Sequence, residues 1–265
     1  MSGTATGAWA WNLAATAAAV LVFMSGVFCV GLAKRRHRTV DVAWGLAFAL
    51  IALLTFALSS GHGCVGRRVL ATALTVVWGL RLAAHIAARG RGAPEDPRYE
   101  AFLSKARGNQ AWYAYTHVYL LQAALVWFVS LPVQAVQYGT GALTPLAALG
   151  GLLWAVGLAF EAVGDRQLSR FKADPANKGA LMTTGLWRYT RHPNYFGDAC
   201  VWWGLYLLGV DQWVALCTVL SPLAMTWLLT KGSGKPLVEA HLIRTRPGYA
   251  EYVAHTSGFL PRRPR

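Results

Sequence analysis

Apolar residues in this chain gather in long blocks, separated by short stretches rich in arginine and lysine. Blocks near the roughly 20 residues needed to cross a bilayer fall at 8–32, 42–58, 69–88, 113–133, 143–163, 195–210 and 213–229. The pattern predicts an all-α, polytopic membrane bundle of seven transmembrane helices. The last two blocks are short, and only the stretch from Gly209 to Gln212 parts them, which predicts a tight helical hairpin. No basic segment precedes the first block, and it is too long for a signal-peptide core, so it reads as the first helix.

Composition supports this reading. Of 265 residues 55% are hydrophobic and only 14% charged, where a soluble domain carries about a quarter. In a soluble protein the net charge of +14 would suggest nucleic acid. Here the charge lies in the short loops, and topology explains it without a nucleic-acid partner. Lys34, Arg35, Arg36 and Arg38 follow the first span, and Arg89, Arg91, Arg98, Lys105 and Arg107 the third. Arg166, Arg170, Lys172, Lys178, Arg188 and Arg191 follow the fifth, and Lys231, Lys235, Arg244, Arg246, Arg262, Arg263 and Arg265 the seventh. These are 22 of the 25 basic residues; the alternate loops carry Arg67 and Arg68, and Arg81 lies inside a span. The positive-inside rule then predicts an external N-terminus and a cytoplasmic C-terminus in a multi-pass protein of the cell membrane. Cys29, Cys64, Cys200 and Cys217 show no metal or disulfide spacing, so no metal site is expected.

The stretch Gly185-Leu-Trp-Arg-Tyr-Thr-Arg-His-Pro-Asn-Tyr-Phe-Gly-Asp198 concentrates the candidate chemistry. Proline disfavours a helical residue before it and suits a first helical turn, so a helix is predicted to start at Pro193 or Asn194. Asn194 and Asp198 then share a face beside a helix N-terminus flanked by Arg188, Arg191 and His192, an arrangement that suits an anion such as a phosphate. The predicted topology brings Glu161, Asp165, Asn194, Asp198 and Glu239 to one cytoplasmic mouth, with Asp41 and Arg81 towards the same side. Ionisable groups in the apolar layer are costly, which marks them as candidates; an Asp41–Arg81 ion pair that only fixes packing is the alternative. The aromatics from Trp112 to Tyr119 read as an interfacial belt, or, from Tyr113 onward, as proton donors. Lys231-Gly-Ser-Gly-Lys235 lacks the first glycine of a phosphate loop and has Pro236 at its hydroxyl position. No dinucleotide fingerprint, zinc helix or nucleophile elbow occurs.

The 185–198 stretch resembles the signature of the steroid 5-alpha-reductase C-terminal domain, most closely that family's bacterial membrane branch. Asp41-Val-Ala-Trp-Gly45, Glu95-Asp-Pro-Arg-Tyr99, Phe160 to Lys172 and Pro247-Gly-Tyr249 are similar to the same branch. The resemblance implies substrate-side helices in residues 1–140 and a cofactor-binding half with a cytoplasmic tail in 141–265, within one membrane domain. It implies an NADPH-dependent reductase acting on a carbon–carbon double bond of a steroid-like, terpenoid or other lipid substrate. By position, Asn194 and Asp198 would contact the nicotinamide-ribose side, Glu161 and Asp165 the cofactor's polar parts, and Lys172, Arg188 and Arg191 its phosphates. His192, Tyr195 and Glu239 complete the cofactor set, and Asp41, Arg81 and Tyr113 are the catalytic candidates. Where the animal steroid reductases use a tyrosine to polarise the ketone, Trp78 stands here, and Asp41 is the nearest acid. The wider superfamily contains isoprenylcysteine carboxyl methyltransferases, so an S-adenosylmethionine-dependent methyltransferase of a lipid-linked acceptor is the second reading. A non-enzymatic lipid-binding protein is the third.

Overall fold

The computed structural model describes residues 3–264. Met1, Ser2 and Arg265, the last of the counted cations, lie outside the described residues, as do the side chains of residues 3–5, Pro97 and Arg98. Every regular element among the described residues is helical: α1 Gly3–Lys34, α2 Thr39–Leu58, α3 Val65–Arg89, α4 Pro97–Leu103, α5 Gln110–Ala114, α6 Leu121–Val129, α7 Leu131–Val136, α8 Pro145–Ala173, α9 Pro193–Leu207, α10 Trp213–Leu216, α11 Leu220–Thr230, α12 Lys235–Thr245 and α13 Tyr249–His255. Five stretches are long and apolar enough to cross a membrane: Thr6–Lys34, Thr39–Leu58, Val65–Arg89, Pro145–Ala173 and Trp213–Thr245.

Two expected spans are built differently. The apolar block at 113–133 is broken. A π-helical segment, Tyr115–Leu120, joins α5 to α6, and the helix stops at Val129 and restarts at Leu131 with Pro132 in its first turn. Proline's missing N–H and bulky ring end the preceding ladder and suit the new start. The block at 195–210 becomes α9, of 15 residues. At 1.5 Å per residue it extends about 22 Å, short of the ~30 Å hydrocarbon layer.

The chain divides into two compact units, Met1–Thr144 with Leu208–Ser221, and Pro145–Leu207 with Pro222–Arg265. In the first, α2 and α3 touch through bare backbone: a Cβ on Gly45 would lie 2.3 Å from the Gly79 carbonyl oxygen. Trp78, Phe48, Ile51, Met24 and Tyr119 are fully buried. Inside the apolar layer, Gln134 accepts from Asn12 (3.0 Å) and Thr16 (2.9 Å) and donates to Ser130 (2.8 Å). Such bonds contribute about 0.6 kcal/mol each between membrane helices. Arg67, a loop cation in the sequence reading, is fully buried. It donates to the carbonyls of Gly141, Ala142 and Leu208 and pairs with Asp211 at 2.6 Å.

Helix α1 ends in a Schellman cap, Arg36 N–H donating to the Gly31 carbonyl (2.9 Å) and Arg35 N–H to that of Leu32 (3.1 Å). This cap needs a left-handed residue, a place glycine usually fills. Here Arg35 takes φ +50°, at a cost of about 1–2 kcal/mol for an L-residue.

The second unit is organised by α8 on α9. A Cβ on Gly157 would lie 2.5 Å from the Gly197 carbonyl oxygen, and one on Gly197 the same distance from that of Gly157. The two helices therefore approach at backbone distance. Trp203 Nε1 donates to Thr226 at 3.1 Å, tying α11 to α9.

Candidate functional site

In the second unit the stretch 185–192 is a shaped turn. Gly185 has φ +62°, and a Cβ there would lie 2.4 Å from the Gln167 side chain. Only glycine meets both demands. Gln167 on α8 accepts the Leu186 N–H at 2.9 Å, and Trp187 Nε1 donates to the Gly164 carbonyl at 3.1 Å. The turn is thus fastened to α8 before α9 starts at Pro193, where the proline rule predicts a start.

The C-terminal tail fastens its other side. Arg191 N–H donates to the Ser257 carbonyl (2.8 Å), Thr190 Oγ1 to that of Phe259 (2.9 Å), Arg262 N–H to that of Tyr189 (2.9 Å), and the Tyr252 hydroxyl to that of Trp187. The Arg191 guanidinium, 6% exposed, donates to the Val253 and Thr256 carbonyls and meets the Glu239 carboxylate through Nε and Nη2, each at 2.8 Å. His192 Nε2 lies 3.0 Å from the same carboxylate oxygen, and its ring stacks on Tyr195 with the planes 3° apart.

Burial pushes the His192 imidazole towards its neutral form, although Glu239 works the other way. A neutral His192 then donates its Nε2–H to Glu239, and Arg191 supplies the positive charge.

The head of α9 carries the remaining expected residues. Asn194 Oδ1 is buried without a hydrogen-bond partner. Asp198 stands one turn further on the same face. Glu161 is 2% exposed and Asp165 9%, one turn apart on α8. Glu161 packs against α9, since a Cβ on Gly197 would lie 2.8 Å from its Cγ. Arg188 and Lys172 are exposed. The fold thus packs Glu161 against α9 beside Gly197, keeps Asn194 and Asp198 on one face at the head of that helix, and gathers Arg191 and His192 around the Glu239 carboxylate.

In the first unit Asp41, on the first turn of α2, accepts a hydrogen bond from the Tyr99 hydroxyl at 2.5 Å. Asp41 also lines a cavity of about 230 Å³ with Trp44, Ile86, Arg89 and Gln122. Arg81 is half-buried on α3. Tyr113 stacks on His117, ring centroids 4.2 Å apart, and leans on Phe102. The fully buried Tyr119 hydroxyl lies 3.0 Å from His37 Nδ1. Sequence reasoning quoted Tyr99 inside a motif without giving it a role. Its partner stands 58 residues away, and no local spacing announces such a pair.

An all-helical chain with five stretches fit to cross a bilayer and polar clusters at helix ends defines a multi-pass membrane protein. The chain belongs to the family described as "Protein of unknown function (DUF1295)", whose model matches residues 27–256. That family is associated with steroid 5-alpha-reductase-like membrane proteins. Over 51 residues the chain is 45% identical to a probable O-methyltransferase, ustE, of Ustilaginoidea virens; the match covers 19% of this chain and 18% of that protein. No solved structure matches the chain.

Proposed function

We propose that this protein is an NADPH-dependent membrane reductase of a carbon–carbon double bond conjugated to a carbonyl in a lipid-soluble substrate. The observation that carries the reading is the buried, unsatisfied Asn194 Oδ1 at the head of α9. An orphaned acceptor of that kind costs about 1–3 kcal/mol, which a ligand N–H or O–H donor would relieve. A carboxamide or a ribose hydroxyl offers one, and a helix N-terminus favours a nearby phosphate. The residues present fit the cofactor in these respects. Asn194 and Asp198 would take its nicotinamide-ribose end, with Glu161, Asp165 and Tyr195 beside them on α8 and α9. The exposed Arg188 and Lys172 would take its phosphates. Arg191, His192 and Glu239 shape the turn that presents them.

When bound, NADPH supplies a hydride to the electrophilic alkene carbon. The chain's own residues must stabilise the enolate oxygen and deliver one proton. Within the first unit the Tyr99 hydroxyl donates to Asp41, and Asp41, Arg81 and Tyr113 remain the candidates for supplying that proton. The basic loops support a cytoplasmic site in a cell-membrane protein.

The second reading is transfer of a methyl group from S-adenosylmethionine to a lipid-linked acceptor. Its specific support is the short match to the probable O-methyltransferase. Thermal unfolding of the purified protein with NADPH, NADH and S-adenosylmethionine separates the two. A ligand at 100 times its dissociation constant adds about 2.7 kcal/mol. NADPH is expected to stabilise more than NADH, by a margin that shrinks with salt. Stabilisation by S-adenosylmethionine and none by NADPH would replace the first reading with the second.

A further inference from the structure

The first unit contains an open cavity of about 290 Å³ that the reductase reading does not use. Arg35, His37, Glu95, Glu100, Ser104 and Gln110 line it. Charges of both signs meet there from separate elements. The Glu95 carboxylate is already engaged by the backbone N–H groups of His37, Arg38 and Asp96. His37 Nδ1 is engaged by Tyr119, and burial pushes the ring towards its neutral form against the pull of Glu95. Among the described residues, the Arg35 guanidinium, the exposed Glu100 carboxylate and the Gln110 amide are left to meet a ligand, while the Ser104 hydroxyl already donates to the Ala101 carbonyl. A lone anion would face Glu95 and Glu100, and a lone cation would face Arg35. A zwitterion satisfies both.

Two independent observations narrow the ligand. Arg35 directly follows α1, whose apolar run ends at Lys34, so the cavity stands at the depth where lipid head groups lie. Arg35 is also the only described non-glycine residue with positive φ. Glycine would relieve that backbone, so the chain keeps a charged side chain here against local preference.

We propose that this cavity binds a phosphoethanolamine group, its phosphate on Arg35 and its primary ammonium on Glu100 and Gln110. A primary ammonium offers three N–H donors to those acceptors, and a quaternary choline offers none. The group can arrive as a phospholipid head group or free in solution. The site stands apart from the cofactor reading and survives its failure.

The test is native mass spectrometry of the delipidated full-length protein, titrated with dioleoyl phosphatidylethanolamine, phosphatidylcholine, phosphatidylglycerol and free phosphoethanolamine. Phosphatidylethanolamine is expected to bind at least about tenfold more tightly than the other two lipids. Arg35→Gly and Glu100→Gln should each remove that preference, while Arg35→Gly melts no lower than the parent. Free phosphoethanolamine binding as tightly as the lipid would assign the soluble source to the same site; binding only by the lipid would assign the membrane. Equal binding of all three lipids, preference for phosphatidylglycerol, or full retention of phosphatidylethanolamine by both variants would overturn the proposal.

Discussion

Replacing Glu239 with glutamine tests how the signature turn is held. The Glu239 side chain is 14% exposed and faces Arg191, itself 6% exposed, together with His192. Glutamine keeps the shape and one acceptor but removes the charge, so a buried guanidinium loses its counter-ion. Breaking a buried pair by removing one partner costs about 3–5 kcal/mol. Glutamine retains one hydrogen bond and some solvent reaches the site, so we expect a loss of about 2–3 kcal/mol. The assay is thermal unfolding in detergent with amide hydrogen exchange across Val253–Ser257, whose carbonyls hold Arg191. The variant should melt lower at pH 7 and exchange faster in the tail. A Glu239→Gln protein within about 0.5 kcal/mol of the parent, its tail amides still protected, would refute the reasoning.

Other outcomes follow from the same geometry. Asn194→Ala should weaken NADPH binding by about 1.5–3 kcal/mol, read by calorimetry, with unliganded melting near the parent; unchanged affinity would make the head of α9 purely structural. Gly197→Ala pushes a methyl group to 2.5 Å from the Gly157 carbonyl oxygen and should cost about 1–3 kcal/mol by overpacking. An unaffected melting temperature would show that α8 and α9 are not in backbone contact. A reporter fused after Arg265 should read as cytoplasmic and one in the 138–144 loop as external; the opposite pattern would reverse the orientation.

The sequence by itself determined what depends on neighbours along the chain. The apolar runs of α1, α2, α3 and α8 are continuous enough that burial in lipid with internally satisfied backbone leaves helix as the only outcome. Pro193 set the start of α9 because its ring restricts only the residues beside it. The asymmetry of loop charge is likewise a property of composition, and it is legible before any fold is known. The break within 113–133 was partly written in Pro132, but a π-helical segment at Tyr115–Leu120 has no comparable local signature.

Tertiary structure alone decided which polar side chains meet. Arg191 reads in sequence as a free cation beside a helix N-terminus, yet its guanidinium finds Glu239 48 residues on and tail carbonyls beyond. Asp41 finds Tyr99, and Arg67, a topology marker by its position, finds Asp211 across 144 residues. A buried charge must find its compensation wherever packing brings a partner within hydrogen-bonding distance. Helical periodicity settles which face a residue occupies; only the closing of helices upon one another settles what that face touches.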